Sequence, residues 1–431
     1  MKVLLINDST SNPNWGDRAA ATALKLMINK LGGDIIDIFS EDELKCSSFL
    51  RSEIGVKKSI TGDRRLTELL KLFFPPILFK IKGKMLRSFG LEEKLCLIPD
   101  TWDEFRKCAE NILNNKERYQ RLINVFDKMD VAVIHGDGCM VGNGLLPRTE
   151  LFLGYLIKTH FNKPVVIVNH TADFDHPNLL KIAQKVYPLF DDVVFRDPIS
   201  EKRCKEFCNG RFVADTAFLF EPILSTEFWK DTTRRPTYFD IWPDVADFDP
   251  AKPYLCIGGS SILSYDSFPL EIIKDFSLLI RYIQSIYPGQ IVLTVSDIVD
   301  QPVFRTIAKE LALPLVGLAT PVQQAVDIIG NAEAYIGGRW HPSIFALRGG
   351  TPIIPLSAKT FKMQALIEMA GLNSITFDAL GLDKIKYPLG NQLHFYLEQG
   401  VDLRKKIRIW AQEAAKNCWG NIEFLKKPIK I

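Results

Sequence analysis

Arg339 and His341 stand two residues apart in "YIGGRWHPSIFALRGGTPIIPLS" (335–357), just after a short apolar run and the pair Gly337-Gly338. A guanidinium offers a fixed fork of donors that matches a carboxylate or a phosphate. An imidazole beside it donates a proton or a hydrogen bond near neutral pH. The glycines let a ligand approach the backbone. The helical pattern that follows opens with free N–H groups and the positive end of a dipole, which suits an anion. The bland alternative pairs Arg339 with a surface carboxylate and makes His341 a helix cap. "FRDPIS" (195–200) repeats the arrangement: Arg196 follows Val193-Val194-Phe195 and precedes a helix start with Ser200 placed as its cap. Arg196 is either a second cleft arginine, suited to a ligand with two anionic groups, or half of an Arg196–Asp197 surface turn.

Other polar clusters follow apolar runs in the same way. "NPNWGDRAA" (12–20) puts Asn14, Gly16 and Asp17 at the mouth of the first helical pattern. Asp17 serves there as a general base or a holder of a sugar hydroxyl, or else as the N-cap of a helix starting at Arg18. "HGDGCMVGNG" (135–144) supplies His135, Asp137 and Gly138. It lacks a well-placed G-x-G-x-x-G and is a weak dinucleotide site. It reads as a close-approach loop, with His135 and Asp137 facing ligand or serving structure. His170 in "VNHTAD" and the pair Gly258 and Ser260 in "YLCIGGSS" are further cleft candidates. His160, His176 and His394 stand alone, and neither H-x-x-x-H nor a carboxylate cluster points to a metal. A Walker loop and a G-x-S-x-G elbow are both missing.

These side chains must be held by a β-α rhythm. Val3 to Ile6 reads as a strand, Arg18 to Leu31 as a helix and Ile35 to Phe39 as the next strand. Residues from about 41 to 125 break the rhythm with helical, lysine-rich patterns, an insertion into the first domain. Strands resume at 131–138, 163–171, 191–195 and 211–220. Residues 222–252, rich in proline and aspartate, form a linker. A second β-α series fills 253–400, and 401–431 is a helix packing back on the first domain (1–221). The expected class is therefore α/β with two Rossmann-like domains. Ligands of such sheets sit outside the carboxyl ends of strands, where every cluster above falls, so the cleft between the domains is the expected site.

Composition narrows the partners. The 431 residues are 47% hydrophobic and 24% charged with a net charge of +3, an ordinary globular balance with no nucleic-acid signature. Eight scattered cysteines without a C-x-x-C pair suit free thiols in a reducing cytosol. No apolar stretch approaches the roughly 20 residues of a membrane span, and "MKVLLINDST" lacks a signal-peptide core, so a cytoplasmic location is expected. Residues 64–90 surround an apolar centre with seven Lys/Arg. They either lie on an anionic membrane surface, at its inner face, or cap the first domain.

The order of "NWGDRAA", "VIHGDG", "VVFRDPIS", "VADTAF" and "YIGGRWHPSIFALRGGTPIIPLS" resembles the polysaccharide pyruvyl transferase family. That resemblance implies two facing Rossmann-like domains of GT-B type and transfer of the pyruvyl group of phosphoenolpyruvate to a sugar as a ketal. It needs no cofactor beyond that donor. It implies donor binding by Arg196, Arg339 and His341, with the family's G-D pair on Gly16 and Asp17. His341 is then the proton donor or phosphate-stabilising group, and Asp17 orients or activates an acceptor hydroxyl. The acceptor is a sugar or a lipid-linked oligosaccharide. The chain departs from the family pattern at Asp137 in the glycine loop and at Trp340, where leucine is commoner. Tyrosine is replaced by Ala358, and the family's lysine falls on Lys359 or Lys362. The competing readings are a glycosyltransferase of the same architecture using a nucleotide sugar, and a non-enzymatic sugar-binding protein.

Overall fold

Apolar runs too continuous for a half-exposed strand pair side by side as parallel sheets, buried on both faces. The structure, a computed structural model, describes residues 1–45, 98–224, 230, 248–263 and 269–426. The basic segment 64–90 and nearly all of the linker lie outside the described residues. The first sheet runs in the order β2-β1-β3-β4-β5-β6, with β1 Lys2–Asp8, β2 Asp34–Ser40, β3 Val131–Val141, β4 Val165–Asp173, β5 Asp192–Phe195 and β6 Arg211–Phe212. The second runs β11-β10-β7-β8-β9, with β7 Tyr254–Ser260, β8 Gln290–Thr294, β9 Leu315–Val316, β10 Tyr335–Gly338 and β11 Ile353–Pro355. All of the strand pairings are parallel.

Helices connect the strands and cover both faces. In the first domain these are α1 Trp15–Lys30, α2 Glu41–Leu44, α3 Phe105–Asn114, α4 Gln120–Lys128, α5 Leu145–His160, α6 Pro177–Val186 and α7 Pro198–Cys204. In the second they are α8 Pro269–Ile286, α9 Gln301–Leu311, α10 Val322–Asn331, α11 Trp340–Gly349, α12 Lys362–Ala370 and α13 Leu382–Asn417, which breaks at Gly400. The molecule is α/β with two parallel sheets of Rossmann-like type. Among the described residues, no helix is long and apolar enough to cross a membrane.

Strand alternation feeds separate cores. Leu4 and Ile6 of β1 point into a core private to the first domain, and Leu255 and Ile257 of β7 into one private to the second. Val3 and Leu5 point the other way, into a core that also holds Val292, Ile344 and Phe345 of the second domain. The two sheets thus share one hydrophobic core, built around α1, α10 and α11. Ile407, Ala411 and Ala414 of α13 join it, and Asn417 and Asn421 tie the chain end to the backbone of Ala214. A shared core fixes the separation of the domains in this state, because close-packed interiors do not deform continuously.

Three local expectations change. Helix α1 begins at Trp15 rather than Arg18, and Asn14 rather than Asp17 caps it. The Asn14 backbone is extended, so its side-chain oxygen reaches the N–H groups of Gly16 and Asp17 at 2.8 and 3.3 Å. The stretch at 135–141 is not a loop. It continues β3 through a pairing irregularity between Asp137 and Met140, with Asp137 at φ 41°. The run 211–220 holds only a two-residue strand, and Asp215 then caps a 3₁₀ turn over Thr216–Leu219.

Candidate active site

The carboxyl ends of β1, β3 and β5 face those of β8 and β10 across a cavity of about 170 Å³. Arg196 leaves β5 and is 1% exposed. Its Nε donates to Thr171 Oγ1 at 2.9 Å. Its Nη1 donates to Asp137 Oδ1 and, at 3.2 Å, to Asp215 Oδ2. The guanidinium lies over the Trp340 ring, 5.1 Å from its centre, a cation–π contact across the domains. The surface-turn alternative for Arg196 does not describe this geometry. Asp197, extended at φ −147°, caps α7 by accepting from Ser200 N and Oγ at 2.7 Å each. Ser200, expected to be the cap, is its partner.

Asp215, in "VADTAF", has no local sequence signal of a role, and it is the hub of the site. It is fully buried and accepts from Trp340 Nε1 at 2.8 Å and Ala217 N at 2.8 Å. His341 Nε2 lies 3.5 Å away. Burial alone would raise its pKa, but His341, Arg196 and the Ala217 N–H hold the carboxyl well below the usual range. Trp340, the departure from the family pattern, therefore has a task that leucine cannot perform. Its indole binds Asp215 while its face carries Arg196.

His341, 5% exposed, opens α11 with Nε2 3.4 Å from Arg196 Nη1 and 3.8 Å from Asp137 Oδ1. Its ring rests on Gly16, where a Cβ would meet Nδ1 at 1.9 Å. Arg339 forms a two-pronged ion pair with Asp300, Nε to Oδ2 at 3.1 Å and Nη2 to Oδ1 at 2.7 Å, and its Nη1 donates to Asp297 at 2.9 Å. Burial and Asp297 push Asp300 up to about 6 against the pull of Arg339. Asn14, besides capping α1, donates from Nδ2 to Asp297 at 2.9 Å. The backbone of Trp15 donates to Ser296 at 3.1 Å, so the mouth of the first helix is fastened to the second domain.

Asp17, Asp137 and His341 bring ligand atoms within 4.8 Å of one another. A cation fits that spacing, and Asp137 Oδ1 also accepts from Arg196. Burial and the neighbouring Asp137, Glu41 and Asp297 carboxylates push Asp17 well up. Asp137 goes the other way, to about 2, because Arg196, His341 and His135 outweigh its burial. Such a split pushes the two adjacent carboxyls toward opposite roles in proton transfer. Lys362 also lines the cavity, and burial with Arg196 and Arg339 lowers it to about 7. Lys359 is exposed, so of the two lysines Lys362 is the one at the site.

Gly138 lines the cavity, 3.3 Å from Arg196 Nη2 at the point where a Cβ would stand. Four other candidates, His135, His170, Gly258 and Ser260, do not line the cavity and serve the sheets behind it. His135 is fully buried with Nε2 3.1 Å from Asn169 Nδ2, and burial lowers its pKa. His170 bridges Val194 O and the Tyr187 hydroxyl at 3.0 Å each, lowered to about 3 by burial, and is a neutral strut of the sheet. Gly258 leaves room for Thr294 and Tyr335. Ser260 Oγ donates to the Ser357 carbonyl, joining β7 to the segment after β11.

A profile of the family described as polysaccharide pyruvyl transferase matches residues 14–360, from the cap of α1 to the loop before Lys362. The chain belongs to the polysaccharide pyruvyl transferase family. None of the curated proteins matches it. Among solved structures it is similar to Arabidopsis thaliana UGT89C1 complexed with UDP (13% identity, TM-score 0.52, 99% of this chain and 98% of that one covered). It is similar also to UDP-GlcNAc 2-epimerase from Neisseria meningitidis bound to UDP-GlcNAc (12%, 0.51, 98% and 100%). A third is the spinosyn rhamnosyltransferase SpnG (13%, 0.50, 99% and 100%). At these identities the likeness is one of fold, and the fold is the GT-B type. Membership of the pyruvyl transferase family makes the protein a transferase that modifies polysaccharide, with a sugar or oligosaccharide acceptor.

Proposed function

We propose that this pyruvyl transferase moves the pyruvyl group of phosphoenolpyruvate onto two hydroxyls of one sugar, as a ketal. The observation that carries this reading is the meeting of Arg196 and His341 from opposite domains, 3.4 Å apart, in a cavity that Arg339 and Lys362 also line. Phosphoenolpyruvate carries a carboxylate and a phosphate. The donors that match them are the guanidinium groups, the Lys362 ammonium and the first N–H groups of α11, which have no intrahelical partner.

In this reading His341 donates a proton to the methylene carbon, and the electrons of the carbon–carbon double bond form the new C–H bond. One acceptor hydroxyl attacks the adjacent carbon and loses its proton. Phosphate leaves with the electrons of its C–O bond, and the second hydroxyl attacks the same carbon and gives up its proton to solvent or the departing phosphate, which closes the ketal. Asp215 orients the His341 ring by facing Nε2. Asp17, held high by burial and its neighbours, exchanges a proton with the acceptor hydroxyl.

Two measurements test the reading. Phosphoenolpyruvate raises the melting temperature and a nucleoside diphosphate does not, since a ligand that binds only the folded state stabilises it. Phosphate is released from phosphoenolpyruvate only when an acceptor glycan is present. Stabilisation by UDP instead would move the protein to nucleotide-sugar chemistry.

The Lys362 ammonium gives the donor affinity a pH dependence. It is charged below about 7 and lost above it, whereas the donor phosphate is fully ionised above about 6. KM for phosphoenolpyruvate is therefore expected to rise several-fold between about pH 6.5 and 8.5. In Lys362→Met it is expected to be flat over that window, higher than wild type at the acid end and close to it at the alkaline end. A wild-type KM that stays constant there would remove Lys362 from donor binding.

A further inference from the structure

The two walls of the cavity differ in hydrogen-bond sense. On the second-domain side Arg339, Lys362 and the start of α11 donate. On the first-domain side Asn7, Glu41 and Asp137 offer acceptors, and Arg196 is turned to Asp137 and Asp215. Asn7, next to last in β1, stands in the left-handed region, φ 68°, a conformation asparagine tolerates better than most residues. It is 1% exposed, and its Nδ2 donates to the His135 carbonyl at 2.7 Å and lies 3.8 Å from Cys139 Sγ. Those contacts fix which end of the amide is free. Oδ1 is buried and has no donor among the described residues. A buried acceptor left unpaired is costly, and its residue lines the cavity, so a ligand hydroxyl is the group that would complete it.

Glu41, the first residue of α2, has one oxygen on Asn12 Nδ2 at 2.6 Å and the other on Lys45. Each carboxylate oxygen can still accept a second bond. The charges of this wall are already balanced, Glu41 by Lys45 and Asp137 by Arg196. It does not call for an ammonium group, and beside the Asn7 amide oxygen and the Glu41 carboxylate a ligand carboxylate or phosphate would meet acceptors.

We propose that the first-domain wall is a diol subsite for an uncharged sugar, with Asn7 Oδ1 accepting from one hydroxyl and Glu41 from another. The subsite rests on the pyruvyl-transfer reading for the presence of a sugar and on the wall itself for its place and selectivity. A ketal joins two hydroxyls of the same sugar to one carbon, so the acceptor must lie with two hydroxyls toward the donor wall. An acidic sugar, such as a uronate, is disfavoured.

The test is saturation-transfer NMR on the full chain with methyl β-galactoside, methyl β-glucoside, methyl N-acetyl-β-glucosaminide and methyl β-glucuronide, each at equal concentration. Donor binding is read separately as the melting shift with phosphoenolpyruvate. At least one neutral glycoside is expected to receive saturation, about tenfold more than the glucuronide. Asn7→Gly, which suits the backbone angle, is expected to remove that signal. Should Asn7→Gly fail to unfold cooperatively, Glu41→Gln carries the same expectation. Equal or stronger saturation of the glucuronide, or an undiminished signal in a folded variant, overturns the subsite. A melting shift with phosphoenolpyruvate but no neutral glycoside bound ends this inference and leaves pyruvyl transfer standing. A bound neutral glycoside without a phosphoenolpyruvate shift does the reverse.

Discussion

Gly16→Ala is expected to lower turnover by at least about 100-fold while leaving a cooperatively folded protein. The backbone has no objection to alanine. Gly16 is the second residue of α1, outside the left-handed region, where alanine is favoured by about 1 kcal/mol. The cost lies wholly in the neighbour. A Cβ would stand 1.9, 2.3 and 2.5 Å from Nδ1, Cγ and Cβ of His341. Helices α1 and α11 cannot part to make room, because both feed the core shared by the two sheets. The imidazole must swing away, which breaks its approach to Asp215 and Arg196. A shift of about 1 Å in a reacting group can cost about 100-fold. His341→Ala is expected to reach the same floor. The double variant Gly16→Ala/His341→Ala should be no slower than His341→Ala alone, because the two changes remove one group. Turnover within about tenfold of wild type in Gly16→Ala, with an unchanged melting temperature, would mean that Gly16 does not clear a space for a catalytic imidazole.

The same contact shows how far the sequence could be read. Strand periodicity placed Arg196, Arg339 and His341 at strand tips, and the order of motifs placed them in one family. Periodicity does not say which side of a tip a side chain takes. The sequence sets His135 and His170 beside polar, glycine-rich stretches as well, yet in the structure they lie inside β3 and β4, one turned to Asn169 and the other to Tyr187. Nor does it rank rivals. Asn14 and Asp17 are both capping residues three positions apart, and only the extended backbone at 14 decides between them. The charge partners are harder still. Asp300 and Asp297 lie 39 and 42 residues before Arg339, and Asp215 lies 125 before Trp340. Nothing local marks those pairings. The order of "VADTAF" and the unusual Trp340 were both visible, and their meeting required the fold.

Those pairings set an unusual electrostatic starting point. A site proposed for an anion with two charged groups already gives each arginine two carboxylates: Asp137 and Asp215 for Arg196, Asp297 and Asp300 for Arg339. The acids fix each fork in place before the donor arrives, at the cost of some attraction. Preorganisation of this kind favours geometry over raw affinity. It also makes the arginines structural, which separates two consequences of removing one.

Arg196→Gln is expected to abolish measurable turnover and to destabilise the fold by about 3–5 kcal/mol, the range found when one partner of a buried ion pair is removed. The distinguishing feature is the direction of its pH dependence. In the wild type Asp137 is held at about 2, below its unfolded value, and Asp215 is held low as well. Their contribution is present above the unfolded carboxylate pKa and is lost as pH falls through the folded value. Without the guanidinium, the burial of Asp137 loses its largest opponent and its folded pKa rises, while His341 and the Ala217 N–H still hold Asp215 down. The contribution of Asp137 then changes sign: its carboxylate weakens the fold at neutral pH and is relieved by protonation as pH falls. Urea unfolding at about pH 8 and pH 5 is expected to show the variant's deficit against wild type shrinking at the lower pH. Arg196→Lys separates charge from shape. A lysine restores a positive charge between the two acids but lacks the fork that reaches Thr171, Asp137 and Asp215 together. It is expected to recover part of the stability and little of the turnover. A deficit in Arg196→Gln that is the same at both pH values would show that the guanidinium is not what keeps Asp137 ionised.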